Sequence, residues 1–226
     1  MQIDITNRPG NSAARVSLDA GETITAEGGA MIAMSGNVSV ETTTQKRDSG
    51  SILGALKRMV TGESFFLNHF TPSGEGGEVY FGTVMAGDMM EYQLDGPGLL
   101  VQGGSYVASA PSVNMDIQWQ GFGKAFFSGE SMFLIHLSGN GPIIFNSFGA
   151  VYPIQVNGEY IVDTGHIVAF EESLNYVIEK AGGSWLSAIM GGEGLVCKFQ
   201  GQGTVWCQSH NAGSFGQALG PMLKHQ

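Results

Sequence analysis

The side chains of this sequence best placed for chemistry recur at fixed spacing. Glu63, Glu130 and Glu193 each follow a glycine and open an apolar run: Gly62-Glu63-Ser64-Phe65-Phe66-Leu67, Gly129-Glu130-Ser131-Met132-Phe133-Leu134 and Gly192-Glu193-Gly194-Leu195-Val196-Cys197. Three carboxylates at one repeated position would make a cation site if symmetry gathered them near an axis. The competing reading is local: each glutamate accepts backbone N–H groups at the start of its own hairpin. That reading is preferred, because hard-cation sites bring several oxygen ligands and none stand beside these residues. His69 and His136 hold equivalent places in the first two copies and align with Phe199 in the third. Exchange with phenylalanine points to packing rather than to metal binding or proton transfer. His166 and His210 are isolated, and no two histidines lie two to four residues apart.

Other chemistries lack their patterns. There is no Gly-x-Ser-x-Gly elbow, no Gly-x-x-x-x-Gly-Lys phosphate loop and no His-x-His pair of the kind a metal-dependent cupin uses. The only cysteines, Cys197 and Cys207, flank Gly201-Gln202-Gly203. A hairpin centred on Gln202 would set them opposite each other, with β-carbons about 4.5 to 5.5 Å apart. A disulfide is then conceivable, but two small buried thiols are preferred for a protein of a reducing compartment. No cofactor is expected.

The elements that position these residues repeat as well. Leu18-Asp19-Ala20-Gly21 followed by Glu27-Gly28-Gly29-Ala30-Met31-Ile32-Ala33 matches Leu94-Asp95-Gly96-Pro97 followed by Gln102-Gly103-Gly104-Ser105-Tyr106-Val107-Ala108. A weaker third copy is Val156-Asn157-Gly158-Glu159 with Asp163-Thr164-Gly165-His166-Ile167-Val168-Ala169. Each unit reads as strand, glycine turn, strand, connector, Gly-Glu hairpin, and self-similarity of this kind marks one β-unit made three times. Strands are expected at 36–44 and 112–119; in the second, Val113, Met115, Ile117 and Trp119 alternate with Asn114, Asp116 and Gln118, leaving one face wet. The fold class is therefore all-β, with residues 1–226 a single domain of three repeats: 1–93, 94–155 and 156–215, followed by a tail at 216–226.

The connectors differ in character from the strands. Ser51–Val60 reads as an amphipathic helix with Ile52, Leu53, Leu56 and Met59 on its apolar face. The shorter counterparts carry Phe122, Phe126 and Phe127, and then Trp185, Leu186, Ile189 and Met190. A pseudo-threefold arrangement brings all three to one end of the molecule. An exposed patch of that composition would be a docking face for a protein partner or a membrane; the alternative is a plug for the end of the β body or a subunit interface.

Composition narrows the partners. Thirty-five glycines and 13% charged residues in 226 suit short strands and tight turns, and the formal charge of −10 opposes nucleic-acid binding, which depends on lysine and arginine at phosphates. The sole basic cluster, Lys46-Arg47 with Lys57-Arg58, reads as a solvated loop and the polar side of the connector helix. No secretory signal and no apolar run of about 20 residues is apparent, so a cytoplasmic protein is expected.

The segments 62–68 and 129–134, with the Leu-Asp-Gly turn before Gly-Gly-x-x-x-Ala at 94–108, resemble a bacterial member of the mitochondrial-biogenesis (altered inheritance of mitochondria) family, a family of unknown function. The resemblance covers nearly the whole chain. It implies three repeats, each a shortened double-stranded β-helix, or jelly roll, like the subunit of the tryptophan RNA-binding attenuation protein (TRAP-like), and a homotrimer as a natural assembly. The mitochondrial relatives are linked to inner-membrane organisation and respiratory-complex integrity, which implies a non-enzymatic scaffold, and the family offers no catalytic residues. The attenuation protein binds tryptophan between subunits and RNA through repeated lysine and arginine, which these repeats do not carry. Two other readings stay open: a small-ligand or nucleic-acid binding ring of that type, and a divergent metal-dependent jelly-roll enzyme.

Overall fold

A computed structural model describes residues 1–44, 65–119, 133–180 and 195–223. The described chain is predominantly β and forms several sheets. Its first stretch carries β1 (Gln2–Thr6), β2 (Ala13–Leu18), β3 (Ile24–Glu27), β4 (Met31–Met34), β5 (Val38–Thr44), β6 (Phe66–Pro72) and β7 (Gly77–Phe81). The second carries β8 (Met89–Leu94), β9 (Leu99–Gln102), β10 (Tyr106–Ser109), β11 (Val113–Trp119), β12 (Phe133–Gly139) and β13 (Gly141–Asn146). The third carries β14 (Val151–Asp163), β15 (Ile167–Glu171), β16 (Asn175–Lys180) and β17 (Leu195–Gln208), followed by a helix α1 (Ala212–Leu219).

Alternation explains the strands. In β2, Ala14, Val16 and Leu18 are buried while Ala13, Arg15 and Ser17 are only partly covered. The expected strands at 36–44 and 112–119 appear as β5 and β11, and Val113 is buried where Asn114 and Asp116 are exposed.

The strands β6 and β12 do not fold back in a hairpin on the strands that follow them. β6 pairs with β3 and β5, while β7, after the Ser73-Gly74-Glu75-Gly76 turn, pairs with β2 and β4 in a different sheet. In the same way β12 pairs with β9 and β11, and β13 with β8 and β10. The glycines carry the chain across rather than back. Gly139 has φ +105° and Gly141 φ +146°, and a β-carbon on Gly139 would stand 2.5 Å from the Ser112 carbonyl oxygen. In the third stretch the crossing is not a break at all. β17 runs unbroken through Gly201-Gln202-Gly203 and lies against β14 in one continuous antiparallel register from Val151 opposite Gln208 to Asp163 opposite Val196.

Corresponding pairs share one register. Ala33 lies opposite Tyr80, Ala108 opposite Ile144 and Ala169 opposite Trp206, each just past a register shift that follows Met31, Tyr106 or Ile167. Neighbouring stretches join by further strand pairing: β3 to β10, with Ala26 opposite Ala108, and β9 to β15, with Val101 opposite Ala169. The sheet orders follow: β1-β2-β7-β4, β5-β6-β3-β10-β13-β8, and β11-β12-β9-β15-β17-β14 with β16 on β17.

The core divides accordingly into three clusters, each borrowing from its neighbour. The first packs Val16, Phe70, Val79 and Phe81 against Val107 and Ile144; the second centres on Tyr106, Ile135, Phe145 and Trp206; the third packs Phe170, Phe199 and Val205 against Leu100 and Leu134. Edge-to-face rings reinforce them, with Phe70 on Phe81 at 5.4 Å and Phe170 on Phe199 at 5.0 Å. The expected unit boundaries at 93/94 and 155/156 fall inside β8 and β14, and 215/216 falls inside α1.

Candidate interaction surface

The eleven connector residues expected to form a docking face, Ile52, Leu53, Leu56, Met59, Phe122, Phe126, Phe127, Trp185, Leu186, Ile189 and Met190, lie outside the described residues, as do Glu63, Glu130 and Glu193. The structure does place the histidines, and it corrects their alignment. Thr25, Leu100 and Ile161 occupy corresponding places on β3, β9 and β14, and the residues opposite them are His69, His136 and Lys198. The third counterpart is therefore Lys198, not Phe199. The sequence spacing explains the slip, because Leu134 follows Gly129 by five residues whereas its counterpart Val196 follows Gly192 by four. Phe199 instead matches Phe70 and Leu137, all three buried.

The histidine position is thus a partly exposed polar one, not an aromatic core site. His69 bonds to the Thr25 hydroxyl through Nδ1 at 2.9 Å and to the Thr43 hydroxyl through Nε2 at 2.8 Å. His136 Nε2 lies 3.2 Å from Glu172 Oε2, and Lys198 Nζ lies 2.9 Å from Glu159 Oε2. The His136 ring, followed by the Gly98 N–H, holds the Glu172 carboxyl below its ordinary range. Of the isolated histidines, His166 Nδ1 donates to the Gln208 carbonyl at 2.8 Å, and His210 bonds the Ser209 hydroxyl and stacks near Phe148.

Two carboxyls are covered. Asp88 is almost fully buried and receives Arg8 Nε and an Arg8 terminal nitrogen, each at 2.9 Å, together with the Ser12 hydroxyl and the Met89 N–H. Burial alone would raise its pKa, but the Arg8 and Ser12 hydrogen bonds prevail and hold it below the ordinary value. Glu27 ends β3 at the place taken by Gln102 in β9 and by Asp163 in β14. Burial pushes its carboxyl up to about 7.

The thiols are separated along β17. Cys197 lies opposite Val162 and Ile178, and Cys207 opposite Tyr152 and Ile167; both are free and buried. The cross-hairpin pairing fails because the intervening glycines continue the strand. Burial pushes Cys197 up to about 12 and Cys207 up to about 11, so neither is a thiolate near neutrality.

Apolar exposure concentrates where strand pairing stops. β10 and β15 each sit between two strands, and their side chains are almost entirely covered. β4, the matching strand of the first stretch, ends its sheet and leaves Met31 41%, Ile32 60% and Met34 39% exposed. At the opposite terminus of the fold, the Glu159–Asp163 half of β14 matches β3 and β9 yet pairs only with β17 among the described residues, leaving Tyr160 44% and Ile161 53% exposed. Sequence reading missed this surface because Met31-Ile32-Ala33-Met34 looks as apolar as Tyr106-Val107-Ala108-Ser109. The signal was topological: among the described residues β4 and the second half of β14 each have a neighbouring strand on one side alone. The C-terminal helix α1, which runs into the tail expected at 216–226, adds another exposed group. Asn211 caps α1 by accepting the Ser214 N–H at 3.1 Å; Phe215 packs edge-on against Phe148, and Leu219 faces solvent.

The family model for mitochondrial biogenesis AIM24 matches residues 3–210. The chain belongs to that family. An uncharacterized protein of Streptococcus pyogenes serotype M6, M6_Spy0233, is 29% identical over 209 residues, spanning 90% of this chain and 84% of the relative. The crystal structure of protein SPYM3_0169 from Streptococcus pyogenes, a structural-genomics target, superposes with a TM-score of 0.81 at 25% identity, covering 98% of this chain and 99% of that one. Among the described residues, no helix is long and apolar enough to cross a membrane.

Proposed function

We propose that this chain is a non-enzymatic scaffold or interaction protein of the cytoplasm, built as three tandem TRAP-like repeats, that self-associates, with a trimer favoured, and docks a protein partner or membrane surface through its apolar connectors. The observation that carries the reading is the common register of Ala33, Ala108 and Ala169 against Tyr80, Ile144 and Trp206. A unit copied with its strand register intact, while the residues at the histidine position change from His69 and His136 to Lys198, retains architecture and varies chemistry.

The placement of the reactive groups supports the same view. Cys197 and Cys207 are held protonated by burial, and His69, His136 and His166 each serve as a hydrogen-bonding tether within or between strands. Binding of the native chain to liposomes and its capture of partners are to be compared with a Leu56→Ser, Phe126→Ser, Trp185→Ser variant. Loss of binding by a variant with native circular dichroism is the expected result; undiminished binding would refute docking through the connectors.

A further inference from the structure

The two open edges described above match each other in a specific register. Inside the chain the same junction is made twice: β3 receives β10 with Ala26 opposite Ala108 and Thr25 opposite Ser109, and β9 receives β15 with Val101 opposite Ala169 and Leu100 opposite Phe170. Among the described residues, the strand corresponding to β10 and β15 that lacks this partner is β4. Among the same residues, the strand corresponding to β3 and β9 that lacks it is the second half of β14. Each is therefore one side of a junction whose complete form the molecule displays elsewhere.

We propose that β4 of one copy pairs antiparallel with the Glu159–Asp163 segment of β14 in a second copy, head to tail, with Ala33 opposite Val162 and Met34 opposite Ile161. This rests on the reading of the chain as self-associating and names the surfaces that do it. Carrying the internal register across fixes the residues: Ala33 corresponds to Ala108 and Ala169, and Val162 to Ala26 and Val101. The occupant is a second copy because each edge finds its complement on the same polypeptide, while within one copy β4 pairs only with β7 and β14 only with β17 among the described residues. Chemistry agrees with geometry. Pairing would cover Met34, Tyr160 and Ile161 as it covers Ser109, Leu99 and Leu100 at the internal junctions. No charged residue lies on β4 to oppose Glu159 or Asp163. An exposed, apolar, uncharged edge strand is a template for strand addition unless something occupies it. Because the two surfaces differ, the contact is heterologous, generating a ring if the rotation closes and an open chain if it does not.

Residues directly opposite in an antiparallel pair bring β-carbons to about 4.5 to 5.5 Å, so Met34→Cys and Ile161→Cys provide the test. The native thiols are buried, and a short bismaleimide applied to the folded protein reads only the new ones. Mixing the two single variants is expected to yield a crosslinked dimer that neither variant gives alone, and Ile161→Lys is expected to abolish self-association in sedimentation while keeping the native circular dichroism. Crosslinking of Met34→Cys with itself would mean a twofold β4 contact and overturn the proposal. A Met34→Cys, Ile161→Cys double variant that crosslinks only within one chain would also overturn it. Assembly in sedimentation without the mixed crosslink would overturn this pairing and leave self-association standing; a monomer at all concentrations would remove both.

Discussion

Glu27 gives the most direct physical test of the fold. Its carboxyl is pushed from an ordinary 4.5 up to about 7 by burial, so the folded protein binds this proton more tightly than the unfolded chain does. The sign follows from that difference. Stability due to the protonated group is fully present below the unfolded value, falls as pH rises from about 4.5 to about 7, and stays lost above that. The difference of about 2.5 pKa units, at about 1.4 kcal/mol each, corresponds to about 3 kcal/mol. Glu27→Gln keeps shape and removes the titration, and Gln102 occupies the matching place on β9. For a chain of this size 1 kcal/mol moves the melting temperature by about 2–4 °C. The variant should therefore melt with the native protein near pH 4.5 and about 6–12 °C above it near pH 8, measured by calorimetry or circular dichroism across the range. Groups common to both proteins cancel in the difference. An offset that does not change with pH, or a variant less stable at pH 8, would refute the burial of an ionisable Glu27.

The other tests concern the groups the fold immobilises. Asp88→Ala removes the acceptor for Arg8, Ser12 and the Met89 N–H and should cost about 2–4 kcal/mol in urea unfolding; because the pKa of Asp88 is held low, its contribution is present above the ordinary carboxylate value and is lost as pH falls through the lowered one, so native and variant stabilities should converge in acid. Cys197 and Cys207 should both resist alkylation in the folded protein at pH 8, react together on unfolding, and migrate without a disulfide on non-reducing gels.

The parts of the fold that the sequence revealed are those with local periodicity. Val113, Met115 and Ile117 alternating with Asn114 and Asp116 named β11, and Gly28-Gly29 with Gly103-Gly104 marked equivalent turns. What failed was pairing, which is not local. Gly139-Asn140-Gly141 and Gly201-Gln202-Gly203 have hairpin composition, but the β-carbon space at Gly139, blocked by the Ser112 carbonyl, shows the glycine serving a close crossing between sheets. From that single misreading came the false Cys197–Cys207 opposition. The alignment of Phe199 with His69 failed for a different reason: a one-residue shortening moves every side chain of a strand to the other face, and only the ladder with β14 reveals which residue faces out. The helix at Ala212–Leu219 was obscured by Gly213 and Gly216, poor helix formers whose cost the Asn211 cap and the Phe215–Phe148 contact offset.

The corrected alignment alters what the repetition means. Were His69, His136 and Phe199 equivalent, the third copy would have lost a polar group that the first two keep, and a shared site would have been degraded. With Lys198 in that place, all three corresponding positions keep a side chain that reaches a neighbour: His69 to Thr25 and Thr43, His136 to Glu172 just beyond β15, Lys198 to Glu159 beside it on β14. Each is satisfied by different partners, and the partners come from different elements, so the position serves cohesion between strands at three separate places instead of converging on one ligand. The His136–Glu172 pair spans the β9–β15 junction, while the corresponding Lys198 reaches Glu159 on β14 itself. Among the described residues no strand pairs with β14 on the side away from β17, so the proposed pairing with β4 of a second copy would be held by its backbone ladder and by the apolar contacts of Met34, Tyr160 and Ile161 rather than by a charged tether of the His136–Glu172 kind.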